Sequence, residues 1–344
     1  MEFAGWEVPL QYSTIVEEHH AVRRTAGVFD VSHMGKFVIR GKDSFRYLES
    51  VLSNSLKKIG DGRALYSLLL NERGTVIDDV IVYQHSPEHF FMIVNAATLA
   101  KDFDWFESHL AGDVELSDES AEKTILAVQG PQSEKILTAV FGFEFKDLKP
   151  FHFRAFSFQG REVFIGATGY TGERGFEIVS LKEDTPQFYN ALFQIGSDLG
   201  LKPVGFGARD TLRLESAYHL YGLDMDEETT ALEANLGWVC AFDKDFIGKK
   251  ALLKQKEQGL SKRLTGFELT ETGVARHGHE VYLGEKKIGI VTSGTFSPTL
   301  QKSIGLAYLP LEFSELGKTF EIMIRDKRVK AKTVKTPFYS RIAN

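Results

Sequence analysis

The sequence predicts an α+β chain, with mixed helices and strands to about residue 260 and an all-β domain after it. Three observations carry this. Apolar residues at helical spacing recur in the first part and nearly vanish beyond residue 260. Six β-rich runs then follow closely, separated by turn residues, which is the pattern of a barrel or sandwich. At 344 residues the chain also exceeds one ordinary core, so two or three domains are expected.

The elements follow in order. Lys36–Arg40 reads as a strand, and Asp43–Ser53 as a helix with Phe45, Leu48 and Leu52 on one face. Strands are expected over Tyr66–Leu70, Val76–Tyr83 and Phe90–Asn95. Ala97–Leu110 repeats the helical pattern with Leu99, Phe103, Phe106 and Leu110. Thr124–Val128, Arg154–Phe158 and Glu162–Thr168 are again strands, the last two joined by a hairpin turn at Phe158-Gln-Gly-Arg-Glu162. Thr185–Leu199 gives the clearest helix: Thr185 suits a cap, Pro186 suits the first turn, and Phe188, Leu192, Ile195 and Leu199 share a face. The terminal strands are Leu264–Leu269, His279–Leu283, Lys287–Thr292, Ser303–Tyr308, Lys318–Ile324 and Val329–Lys335.

Composition narrows the function classes. With 43% hydrophobic and 26% charged residues the chain reads as soluble and globular. A net charge of −6 argues against broad electrostatic binding of nucleic acid. The single cysteine, Cys240, excludes an intrachain disulfide and a cysteine-based zinc site. The start lacks a basic stretch followed by an apolar run, and no run of 18 apolar residues exists. No secretory signal or membrane span is therefore expected, and a cytoplasmic location is.

Residues 71–83, Asn-Glu-Arg-Gly-Thr-Val-Ile-Asp-Asp-Val-Ile-Val-Tyr, hold the most informative feature. Two adjacent carboxylates, Asp78 and Asp79, sit inside an otherwise apolar strand. Strand side chains alternate between faces, so the two point in opposite directions. A buried, unpaired carboxylate costs several kcal/mol or shifts its pKa. Such a residue holds structure or does chemistry.

These residues belong to a longer resemblance. The chain carries Phe-Ala-Gly-Trp-Glu-Val-Pro at 3–9, Gly-Val-Phe-Asp-Val-Ser-His-Met-Gly at 27–35, Val-Ile-Asp-Asp at 76–79 and Val-Asn-Ala-Ala at 94–97. Gln-Gly-Pro follows at 129–131 and Thr-Gly-Tyr-Thr-Gly-Glu-Arg-Gly-Phe-Glu at 168–177. The second half adds Gly-Ala-Arg-Asp-Thr-Leu-Arg-Leu-Glu at 207–215, Leu-Gly-Trp at 236–238 and Thr-Ser-Gly-Thr-Phe-Ser-Pro-Thr-Leu at 292–300. In this order they resemble the aminomethyltransferase, or T-protein, family of the glycine cleavage system.

The resemblance implies a three-domain cloverleaf: residues 1–34 with 122–243 as a discontinuous folate-binding domain, 35–121 carrying the catalytic aspartate, and 244–344 as a β-barrel or jelly-roll-like domain. It implies tetrahydrofolate as acceptor substrate, no metal, and the lipoylated H-protein as partner, with no nucleic acid or membrane involved. Asp79 matches the family's catalytic carboxylate, whereas Asp78 is expected to be structural. Family folate-pocket positions, or their neighbours, fall on Met34, Tyr66, Tyr83, Asn95, Tyr170, Glu177, Arg209, Trp238 and Tyr339. A tetrahydropterin needs hydrogen bonds along its amide-like edge and flat apolar surface against its ring, which these residue types supply. Tyr83 and Trp238 read equally well as core aromatics with a polar tip, Glu177 as a strand-end acid, and Tyr339 with Arg341 as exposed terminal residues. Arg209 and Arg213 share a helix face; Arg213 is expected to pair with Asp210 or Glu215. Thr75 stands where the family usually has glycine.

Other motifs carry less. Gly205-Phe-Gly207 lacks the third glycine of a dinucleotide loop. His277-Gly-His279 has no third ligand nearby. Asp224-Met-Asp-Glu-Glu-Thr reads as an acidic loop without the order of a calcium site. Six cations between Lys249 and Arg263 read as a solvated face or, functionally, as a docking patch for the acidic carrier. Two rivals within the superfamily stay open. One is a tetrahydrofolate-dependent demethylase with a small donor. The other is a folate-binding iron–sulfur assembly factor, disfavoured because Asp245-Phe-Ile-Gly-Lys-Lys has no cysteine.

Overall fold

In the computed structural model, which describes residues 1–341, the alternating apolar runs pair into a six-stranded sheet, a five-stranded sheet and a closed six-stranded barrel. The chain divides into two units. The first comprises residues 1–69, 78–209 and 241–246, and the second, among the described residues, 70–77, 210–240 and 247–341.

The six-stranded sheet of the first unit runs, in spatial order, Phe153–Phe158, Arg161–Gly166, Gly175–Leu181, Lys123–Gln129, Ala26–Asp30 and Leu201–Pro203. Every neighbouring pair is antiparallel except the last. Gln159 and Gly160 both take positive φ and close the first hairpin at the expected turn. The helices Ser133–Phe141 and Thr185–Gly196 cover this sheet, and Phe141, Phe145, Phe176 and Phe188 join its core. Phe141 meets Phe145, Phe156 and Phe158 edge-on, so several of the chain's 27 phenylalanines form one aromatic layer. Thr185 does not cap its helix. It lies inside the first turn, and its hydroxyl is spent on Thr124.

The five-stranded sheet has the order Arg63–Leu70, Val76–Ser86, His89–Val94, Gly35–Arg40 and Glu115–Asp118. The expected helix at Ala97–Leu110 forms as a one-turn segment, Ala96–Thr98, followed by Leu99–Ser108. The helix Ile15–Arg24 has a poorly apolar inner face because it buries charge. Glu18 is sealed inside and accepts backbone N–H bonds from Ser13 at 2.7 Å and Gly205 at 2.8 Å.

In the second unit the terminal strands close as a barrel, resolving the barrel-or-sandwich alternative. The order is Lys262–Leu269, Lys302–Pro310, Lys286–Ser297, Glu280–Leu283, Thr319–Ile324 and Lys327–Thr333. Phe267, Val281, Ile322 and Ala331 fill the interior. Closure leaves no unpaired edge. Beside it Arg213 is buried and donates to Asp210 at 2.8 Å, Asp224 at 2.6 Å and Ser293 at 2.9 Å. Asp210 was one expected partner. Glu215 was the other, and it instead accepts from the Ser297 hydroxyl and the Thr299 amide. Asp224 lies in a turn, as the acidic run suggested, but it is fully buried at the centre of this network.

Candidate active site

The strand Val76–Ser86 positions the candidate carboxylate. Its residues 79, 81 and 83 share one face by the two-residue period, so Asp79 and Tyr83 project on the same side. Asp79 is half-buried. The Tyr66 hydroxyl, from the neighbouring strand Arg63–Leu70, donates to its Oδ2 at 3.0 Å. Asn95 Nδ2 donates to its Oδ1 at 2.9 Å.

Asp78 points to the other side, as expected, but it is not isolated from Asp79. It accepts from the Thr98 hydroxyl at 2.7 Å and from Asn95 Nδ2 at 2.8 Å. Asn95 thus holds both carboxylates through one amide, and two acceptors on that side fix which end is the NH2 group. Burial first, and the charge of Asp78 second, raise the Asp79 carboxyl to about 7, against the hydrogen bonds from Tyr66 and Asn95. An acid tuned near neutrality can accept or return a proton under physiological conditions. Tyr66 is driven well above the usual phenol value, by burial and then by Asp79, so it stays a hydrogen-bond donor.

A second cluster lies on the same strand face. The Tyr83 hydroxyl lies 2.8 Å from Thr168 Oγ1 and 3.2 Å from Glu177 Oε2, and Thr168 donates to the same Glu177 oxygen at 2.5 Å. Tyr83 is fully buried, so its apolar body serves the core while its tip serves the site. Gly166 makes room for that ring, because a Cβ there would lie 2.8 Å from it. Thr168 and Tyr170 belong to the loop that joins two sheet strands. Arg209 lies over the Tyr170 ring at 4.7 Å, and Tyr170 in turn is an electrostatic neighbour of Tyr66.

Buried polar side chains hold this loop still. Gln129 Nε2 donates to the Thr168 carbonyl at 3.1 Å, and its Oε1 accepts from Thr171 at 3.0 Å. A Cβ at Gly175 would lie 2.3 Å from the same Gln129 side chain. Arg23 grips the Thr171 carbonyl at 2.6 Å and Glu173 at 3.1 Å. Loops carry function when a scaffold holds them rigid, and here Gln129 and Arg23 are the scaffold's contacts.

The first unit therefore brings together Asp79, Tyr66, Asn95, Tyr83, Glu177, Tyr170 and Arg209. Met34 is half-buried just before the strand Gly35–Arg40 of the same unit. Trp238 and Tyr339 belong to the second unit. Trp238 is 68% exposed, which removes the core-aromatic reading. The Tyr339 amide donates to the Glu215 carbonyl at 2.8 Å, and its side chain is half-buried. Thr168, Thr98 and Gln129 were not singled out by residue type, although Thr168 and Gln129 fall within quoted motifs. Among the described residues no group of three His, Cys, Asp or Glu is placed to hold a metal. His277 Nδ1 lies against the Thr292 carbonyl and His279 Nδ1 against the Arg276 amide.

A mixed α/β unit with a tuned carboxylate, joined to an antiparallel barrel, defines a class that comparison with known proteins makes specific. Residues 1–244 match the GCVT N-terminal domain, and residues 262–340 the glycine cleavage T-protein C-terminal barrel domain. The chain is 45% identical over 344 residues to the aminomethyltransferase of Geobacillus sp. strain WCH70, covering 99% of this chain and 94% of that one. It is equally similar to the aminomethyltransferase of Anoxybacillus flavithermus, at 45% identity and the same coverage. The crystal structure of glycine cleavage system aminomethyltransferase T from Bartonella henselae superposes with a TM-score of 0.92 at 30% identity, covering 98% of this chain and 93% of that one. The chain belongs to the glycine cleavage T-protein family, and it is an aminomethyltransferase.

Proposed function

We propose that Asp79, Tyr66 and Asn95 form the reacting end of a tetrahydrofolate site, with Tyr83, Glu177, Tyr170 and Arg209 as the neighbouring contacts. One observation carries this reading: Asp79 is held by two donors, Tyr66 and Asn95, at the end of a strand face that also carries Tyr83 and its Glu177 partner. The donor is the aminomethyl group on the lipoyl arm of the H-protein. A folate nitrogen attacks the methylene carbon and the carbon–sulfur bond breaks. Loss of ammonia and closure onto the second folate nitrogen give 5,10-methylenetetrahydrofolate. The two folate N–H protons end on ammonia and on the freed dihydrolipoyl thiol, so atoms balance. Ionised Asp79 orients the pterin, stabilises developing positive charge and takes a proton. Met34, of the same unit, is a proposed further contact, and a cytoplasmic location goes with this role. Among the described residues no helix is long and apolar enough to cross a membrane.

The expected result is ammonia release that requires both tetrahydrofolate and aminomethylated H-protein, together with a melting temperature raised by saturating tetrahydrofolate. Methyl transfer from a small sulfonium or methylamine donor without carrier would replace this reading with the demethylase.

The carrier's docking patch is proposed on the helix Lys249–Gln258. Its first turn holds Lys249, Lys250 and no acid, opposite to what the helix dipole favours. Glu257 is the only acid between Lys249 and Arg263. A cationic face kept against the dipole suits an acidic protein. Reversing Lys249, Lys250 and Lys254 to Glu should raise the apparent KM for H-protein at low salt and leave folate affinity unchanged. A variant matching wild type at low salt would reduce the run to a solvated face.

A further inference from the structure

Asp102 is fully buried in the first turn of the helix Leu99–Ser108. Neither of its carboxyl oxygens has a hydrogen-bond donor. The group instead faces Asp78 and Thr98. Asp78, also fully buried, already accepts from Thr98 Oγ1, Asn95 Nδ2 and, at 3.3 Å, the Asn95 amide. Thr98 precedes this helix but makes no side-chain cap; its hydroxyl goes to Asp78. The donors thus converge on one carboxylate and leave the other with none.

We propose that Asp102 holds the proton of an Asp102–Asp78 acid pair and, through Asn95, is a positioning residue for Asp79. Two carboxylates that face each other in a buried site do not both ionise. The one with three donors keeps the charge, and the one without donors keeps the proton and becomes the fourth donor. Burial, with the charge of Asp78 beside it, pushes the Asp102 carboxyl up to about 10. The charged groups facing Asp102 are Asp78 and Lys101. The result is a fixed negative charge on Asp78, which keeps the Asn95 NH2 group aimed between Asp78 and Asp79. Without the proton on Asp102, Asp78 loses a donor and the Asn95 contact to Asp79 loosens.

This inference rests on the role proposed for Asp79, but its first test does not. Infrared difference spectroscopy of wild type against Asp102→Asn at about pH 8.5, where Asp79 is ionised and Asp102 is not, should show the C=O stretch of a protonated carboxylic acid in wild type that is missing in the variant. No such band, or a band unaffected by the substitution, overturns the proton assignment whatever Asp79 does. Turnover then tests the positioning. Asp102→Asn replaces O–H by N–H and should stay within a few-fold of wild type. Asp102→Leu removes the donor and should lower kcat by roughly 10²-fold, the scale of a 1 Å misplacement. Leu removes one of four donors to Asp78 but strands no new charge, so the variant should fold with only a modestly lower melting temperature. Wild-type kcat in folded Asp102→Leu, or a loss in Asp102→Asn as large as that in Asp102→Leu, overturns the positioning role. If Asp102→Leu does not fold, the infrared band and the kcat of Asp102→Asn decide.

Discussion

Asp79→Asn is expected to lower turnover by roughly 10²–10⁴-fold while the unit around it still folds. The substitution keeps shape and removes charge. Tyr66 retains an acceptor in the Asn amide oxygen. Asn95, which donates, would then face an amide whose NH2 end repels it unless it turns. What is lost is the anion that orients the folate and accepts its proton. Stability gives the control. The Asp79 carboxyl is raised in the folded state, by burial and by Asp78, to about 7. A raised acid contributes stability that is fully present below its unfolded value and is lost as pH rises through about 7. The Asn variant has no such loss. It should be at least as stable as wild type above pH 7, with that advantage fading as pH falls toward the unfolded value near 4. Full activity in Asp79→Asn would remove the residue from the chemistry. Low activity with a collapsed melting temperature at all pH values would make it structural.

Arg213→Met should cost about 3–5 kcal/mol of stability, because it strands the buried Asp224 carboxylate. In the second unit this corresponds to a melting temperature lower by roughly 10 °C. Burial alone would raise the Asp224 carboxyl; Arg213, His219, Thr292 and Ser293 together outweigh it and hold it below the usual aspartate value. In wild type that contribution is present above the unfolded value and lost as pH falls through the lower folded one. Removing Arg213 reverses the direction. Asp224 then takes a proton more readily in the folded state, so the deficit should shrink as pH is lowered from 7.5 toward 5. Adding Asp224→Asn should recover much of the loss, since no charge is left stranded. Calorimetry on the two variants checks this; a melting temperature for Arg213→Met within about 2 °C of wild type, under 1 kcal/mol, would contradict it.

The regular elements were legible because alternation and helical spacing mark buried faces directly. Val76–Tyr83 forms within Val76–Ser86, and all six terminal strands appear, five near their expected bounds and Lys287–Thr292 extended to Lys286–Ser297. Legibility ended where burial is polar. The helix Ile15–Arg24 buries Glu18, His19 and Arg23, so its inner face does not look apolar. Asp224, among acids at 224–228, reads as part of an acidic loop, and only the fold sets Arg213 against it. Asp102 left a readable trace, an acid three residues after Leu99 and four before Phe106 on an apolar face. Of the candidate site, Asp79 was visible as a carboxylate in a buried strand. Its grip by Tyr66 and Asn95 was not, because strand pairing and the end of His89–Val94 set it. The link between Asp78 and Asp79 was also hidden, since alternation separates their faces and only Asn95, at a strand end, reaches both.

The most direct measurement is the pH dependence of kcat/KM for tetrahydrofolate with saturating aminomethylated H-protein, in wild type and in Asp79→Asn. Wild type should lose activity along a single limb as pH falls through about 7, where Asp79 takes its proton. The small residual activity of Asp79→Asn should lack that limb. A wild-type profile flat through neutrality, or the same limb persisting in Asp79→Asn, would contradict a reaction run on the Asp79 carboxylate.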